Sequence, residues 1–125
     1  MKRFAFLILT AGGLLASAVS PVRGQTGQLF AIGGGKRPPA VMQAFIREAA
    51  KAGQGRILVL PMASSEPGEV GRRQAGEIRA LASDMGLQIT VDVLNLSRRE
   101  ALDTASCRWL RDAAGIFISG GSQSR

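Results

Sequence analysis

No histidine occurs anywhere in the 125 residues, and there is a single cysteine. The first absence excludes a Ser–His–acid triad completed within these residues. The two together exclude conventional zinc or iron ligation, so neither a metal nor a cofactor is expected. Cys107 has no partner for an internal disulfide. It falls in an apparent helix, where a half-buried thiol is the ordinary reading. Acids are also missing from the first 24 residues, which hold Lys2, Arg3 and Arg23. The formal charge of +7 therefore overstates the rest of the chain, where 13 bases face 9 acids. Those bases are scattered among acids along helix-like stretches rather than gathered in a block, so nucleic acid is not an expected partner. Internal repeats, low-complexity segments and interdomain linkers are lacking too. The whole chain is 46% hydrophobic and 20% charged, the balance of one small globular domain.

The amino terminus has the layout of a secretory signal peptide. Lys2 and Arg3 precede an uncharged, mostly apolar stretch from Phe4 to Val19. Ala16-Ser17-Ala18 is a small-residue cleavage pattern, and Val22-Arg23-Gly24 is a second one after Pro21. The apolar stretch carries Gly12-Gly13 and is short for a hydrocarbon core of ~30 Å, so a stable membrane anchor is not expected. No cysteine follows it, which argues against a lipid anchor. The division is residues 1–24 as signal peptide and 25–125 as domain, with a secreted or periplasmic location.

Apolar runs then alternate with helix-period segments. Gln28–Ile32, Arg56–Leu60, Leu87–Leu94 and Gly115–Ser119 read as strands, the second covered on both faces and the third an edge with one wetter face. Val41, Met42, Phe45, Ile46, Ala49 and Ala50 form one face of a helix begun by Pro38-Pro39. A second helix runs from about Glu69 to Met85, with Ile78, Leu81, Ala82 and Met85 inward and Arg72, Arg73, Glu77 and Arg79 outward. Ser97 caps a short helix over Arg98–Leu102, and Ser106 caps another. The expected class is α/β: a mostly parallel sheet with helices on both faces, joined by right-handed crossovers. Arg125 follows the fourth expected strand by six residues, in a strand-to-helix transition. The chain is accordingly expected to be the amino-terminal part of a larger domain.

Ligands of such sheets sit outside the carboxyl ends of the strands. The loops expected there are Gly33–Pro39, Pro61–Gly68 and Gly120–Arg125. Gly33-Gly34-Gly35-Lys36 matches neither the dinucleotide fingerprint nor the P-loop; it reads as a tight turn first, a substrate-facing loop second and a nucleotide site third. Ser64 and Ser65 lack a base, and nothing places Lys36 or Lys51 beside them, so they read as loop or capping residues. Gly120-Gly121-Ser122-Gln123 is the most suggestive stretch. Two glycines let the backbone turn its N–H groups into the crevice, as in an oxyanion hole, and Gln123 offers a donor and an acceptor.

Gly33-Gly34-Gly35, Ile57–Leu60 followed by Pro61–Ser65, Val93-Leu94 and Ala114–Gln123, in that order, resemble the opening of cyanophycinase and its relatives. These are serine peptidases, aspartyl dipeptidase among them, and the resemblance spans about Gln28 to Arg125. It implies a three-layer, class I glutamine-amidotransferase-like fold, incomplete at the carboxyl end. It further implies a nucleophilic serine on an elbow after the next strand, then a histidine and an acid, none of them in this chain. Gly121 would supply an oxyanion N–H. Gly34, Gly35, Gly120, Ser122 and Gln123 would face substrate. Ser122 stands where the family commonly has Asp, so the resemblance does not extend to the substrate contact made there. The implied substrate is cyanophycin, a poly-aspartate with arginine on each side chain, or a related aspartyl peptide; a homodimer of the full-length protein is compatible with it. The competing reading is a non-catalytic module of the same fold that holds an amino acid or peptide.

Expression with export in a bacterial host tests the first 24 residues. Mass spectrometry is expected to find a mature amino terminus after Ala18 or Gly24; an uncleaved, membrane-retained chain contradicts it.

Overall fold

The structure, a computed structural model, describes residues 27–33, 35–52 and 55–121. Helix α1 (Pro39–Lys51) is followed by strand β1 (Arg56–Leu60), helix α2 (Pro67–Asp84), strand β2 (Thr90–Val93), helices α3 (Arg98–Ala101) and α4 (Thr104–Arg111), and strand β3 (Gly115–Ile118). The three strands form one all-parallel sheet in the order β2-β1-β3. The mixed α/β class expected from the alternation is therefore present.

Strand β1 is central because it is the most uniformly apolar. Ile57, Leu58 and Val59 are each fully buried, and the strand pairs along both edges. Side chains alternate between faces. Ile57 and Val59 point to one side, where they form the core with Met42, Ile46 and Ala49 of α1, Ala75, Ile78 and Ala82 of α2, and Val91 of β2. Proline occupies the first turn of both long helices, the position where a missing N–H costs nothing. Pro67 starts α2 two residues ahead of the expected Glu69. Its far end is closed by Gly86, at φ 68°, whose N–H bonds to the Ser83 carbonyl while the Leu87 N–H bonds to that of Ala82. That pair of bonds is the Schellman arrangement, and it needs the left-handed conformation glycine adopts without strain.

The connections β1–α2–β2 and β2–α3–α4–β3 cross the sheet in opposite directions. With right-handed crossovers this puts α2 and the α3–α4 pair on opposite faces. The second face is thinly covered. No residue of α3 or α4 is buried, and Ile116 and Ile118 stay exposed. The link visible there is the Arg56 guanidinium over the Trp109 ring at 5.2 Å, beside the Arg56–Asp92 ion pair at 3.3 Å. The three layers expected from the sequence are thus one full helical layer, the sheet, and a loosely seated helix pair.

Cys107 is exposed rather than half-buried, and three expectations about local elements are corrected as well. Gln28–Ile32 is irregular rather than a strand. Its apolar pattern signals burial, and that is met by side chains alone: Phe30 meets Phe45 edge-on at 5.9 Å and Ile32 packs on the core, while Leu29 points to solvent. Strand β2 begins at Thr90 rather than Leu87, with Leu87 and Ile89 packed against the core ahead of it. Asp103, not Ser106, caps α4 through a bond from the Ala105 N–H to its carboxylate. The Ser106 hydroxyl instead donates to the Glu100 carbonyl at 2.7 Å. Ser97 does cap α3, in a reciprocal capping box with Glu100. Bonds from the Ser97 hydroxyl and backbone N–H hold the Glu100 carboxyl below its ordinary pKa.

Sheet edges are treated unequally. The outer edge of β2 is blunted by Arg79, whose guanidinium donates to the Val91 carbonyl. Among the described residues β3 pairs with β1 alone.

Helix α2 approaches the sheet through Gly71, where an added Cβ would lie 2.6 Å from Val93 Cγ1 and 3.1 Å from Pro61 Cγ. Gly76, on the same helix, has nothing within 4 Å. Gly71→Ala is therefore expected to destabilise by about 1–3 kcal/mol through overpacking. Gly76→Ala should stabilise by about 0.5–1 kcal/mol through helix propensity. Urea unfolding of both variants checks the opposite signs.

Candidate functional site

The carboxyl ends of β1 and β3 lie side by side, with Leu60 opposite Ile118. The pairing continues one residue further. The Ser119 N–H donates to the Leu60 carbonyl at 3.1 Å, and its buried hydroxyl approaches the same oxygen at 3.4 Å. Beyond that point the chains diverge into the loops after each strand.

The β1–α2 loop is a tight, internally bonded turn. The Ser64 N–H donates to the Pro61 carbonyl at 2.9 Å, and the Glu66 N–H donates to the Ser64 hydroxyl at 3.2 Å. Ser64 is thereby a loop-forming residue, as one reading of the sequence expected. No side chain caps α2, so the capping role considered for Ser64 and Ser65 is absent. Neither lysine sits ready as a base: Lys36 is exposed, and Lys51, at the end of α1, bonds Glu48 at 2.6 Å.

Gly121 is held against that loop. An added Cβ would fall 1.8 Å from the Ala63 carbonyl oxygen and 2.6 Å from its carbon, so glycine alone fits. Gly120 has open space on its Cβ side. Gly35, at φ 103°, is exposed. All three line one open groove of ≈1340 Å³ that runs between residues 27–33 with Gly35, helix α1 and strand β3. Gly34, Ser122 and Gln123 lie outside the described residues.

Two further residues belong to the groove that sequence reasoning did not select. Arg37 stacks over the Phe117 ring at 5.6 Å and pairs with Glu77 of α2. Gln74 of α2 is 7% exposed, and its Oε1 has no hydrogen-bond partner among the described residues. The signal for Gln74 was present: it lies three residues after Gly71 and four before Ile78, a polar residue on the stripe that faces the core. Among the described residues no three Cys, Asp or Glu side chains gather as a metal site would require, and no helix is long and apolar enough to cross a membrane.

No protein-family model matches the chain, and no curated protein or solved structure matches it either. The class supported by the fold is thus an α/β protein with a small parallel sheet and a glycine-rich turn at its carboxyl edge.

Gly121→Ala cannot be absorbed by rotating a flexible side chain, because the obstacle is backbone. It is expected to destabilise by about 1–3 kcal/mol, whereas Gly120→Ala should be near neutral. Thermal unfolding of the two variants measures the difference.

Proposed function

We propose that this chain supplies the oxyanion side of an exported, cyanophycinase-like serine peptidase acting on aspartyl peptides, within a glutamine-amidotransferase-like domain. The observation that carries the reading is the glycine turn after β3, held against the Ala63 carbonyl at the carboxyl edge of a parallel sheet. Backbone without side chains at that edge can approach a substrate carbonyl closely and donate to the oxygen on which charge develops. Gly121 is the proposed donor, with Gly120 and Gly35 beside the substrate and Gly34, Ser122 and Gln123 assigned there from the sequence.

The nucleophile and its base are assigned to residues outside these 125, since the chain holds no histidine. In the reaction a serine hydroxyl adds to the aspartyl carbonyl as the base takes its proton. The tetrahedral oxyanion rests on backbone N–H groups, and the amine leaves with that proton. Water then hydrolyses the acyl-enzyme by the same route. Residues 1–24 direct the protein out of the cytoplasm in this reading, toward polymer or peptide outside it.

Two measurements test it. The 125-residue chain alone is expected to release nothing from cyanophycin or from aspartyl dipeptides, and turnover by the pure chain would refute the division of labour. Reading the gene past the Arg125 codon is expected to show a Gly-x-Ser-x-Gly-like elbow, then a histidine and an acid. An immediate stop codon would instead leave the non-catalytic binding module as the better account.

A further inference from the structure

Gln74 presents a physical problem that the fold does not solve. A buried amide oxygen without a donor costs about 1–3 kcal/mol relative to one that is paired. An apolar side chain of similar size at the same point of α2 would carry no such cost. Its neighbours along the buried stripe, Gly71, Ala75 and Ile78, show that apolar residues fit there. Gln74 as a whole is 7% exposed. It lines the groove together with Arg37, Phe117, Ala63 and Gly121. An apolar wall bearing a few fixed polar groups is the usual composition of a small-molecule site.

We propose that Gln74 is a ligand-recognition residue of this groove, its buried amide pairing with an amide group of a bound dipeptide or amino acid. The chemistry of the neighbours narrows the ligand. An acceptor-only anion such as sulfate or acetate would leave Gln74 Oε1 unpaired. A peptide group presents an N–H and a C=O together, and a side-chain amide matches both. Arg37 completes the recognition: its partner Glu77 is half exposed, and a ligand carboxylate replaces or joins that carboxylate at the groove's rim. The ligand class thus carries both an amide and a carboxylate. This rests on the peptidase reading for the choice of dipeptide, but not on any catalytic step.

The test uses the full chain, with the dipeptide Asp-Gly and with L-asparagine as probes, by titration calorimetry. Gln74→Met is expected to be at least as thermally stable as the parent, since it removes an orphaned acceptor. It should weaken Asp-Gly binding by about tenfold or more. In the unsubstituted chain, the Gln74 side-chain amide NMR signal should shift on titration, which keeps the test valid if the variant folds poorly. Equal Asp-Gly affinity in both chains, or an unmoved Gln74 signal with dipeptide bound, overturns the proposal while leaving the peptide reading in place. Gln74-dependent binding of L-asparagine without any binding of Asp-Gly supports the subsite and removes the peptide reading. Binding of neither probe overturns the proposal.

Discussion

A strand hydrogen-bonded along both edges and covered on both faces can shift neither in register nor in depth, and β1 meets those conditions. Ile57, Leu58 and Val59 have no exposed surface. A one-residue slip would send Ile57 and Val59 to the face that α1 and α2 do not cover. Each other element is placed by reference to this strand. Helix α2 comes close because Gly71 clears Val93 and Pro61, and α1 lies beside it with Met42, Ile46 and Ala49 on the shared core. Through Ser119, β1 also fixes where the β3 chain ends its pairing, and so where Gly121 meets Ala63. The groove lies beyond β1, between the segment ahead of α1, α1 itself and β3.

The parts of this arrangement that were legible in the sequence are those governed by local pattern. Arg56–Leu60 is an uninterrupted apolar run and became the central strand; the spacing of Met42, Ile46 and Ala49 became a buried helix face. Ser97 with Glu100 three residues later is a local pair and formed its cap. Where two local solutions competed, the sequence was ambiguous. Asp103 and Ser106 both suit a helix start, and the structure uses the carboxylate while sending the hydroxyl to the Glu100 carbonyl. Gln28–Ile32 shows a further limit: a short apolar run signals burial, but becomes a strand only where a partner edge takes up its backbone groups.

The groove was less legible because its features depend on distant residues meeting. Gly121 reads from sequence as a turn glycine able to aim its N–H into the crevice, yet its steric requirement comes from Ala63, on another loop. Arg37 has an ordinary sequence context, and its position over Phe117 comes from the packing of the segment ahead of α1 beside β3. Gln74 differs. Its place on the apolar stripe of α2 was visible, but only the absence of a partner in three dimensions separates it from a satisfied core amide.

The strand order has a consequence for how the chain acquires its structure. Partners across β1 and β2 are 34 residues apart, and those across β1 and β3 are 58 apart. The extra loop-closure entropy is only about 0.5 kcal/mol, so chain length alone does not rank the two pairings. Helix α2 does, because it packs on β1 and β2 together and lets that βαβ unit bury apolar surface as soon as it is complete. Strand β3 needs the edge of that unit to pair against, and the turn carrying Gly120 and Gly121 depends on that pairing in turn. Among the described residues, the crevice is the feature that depends on both strand pairings being made.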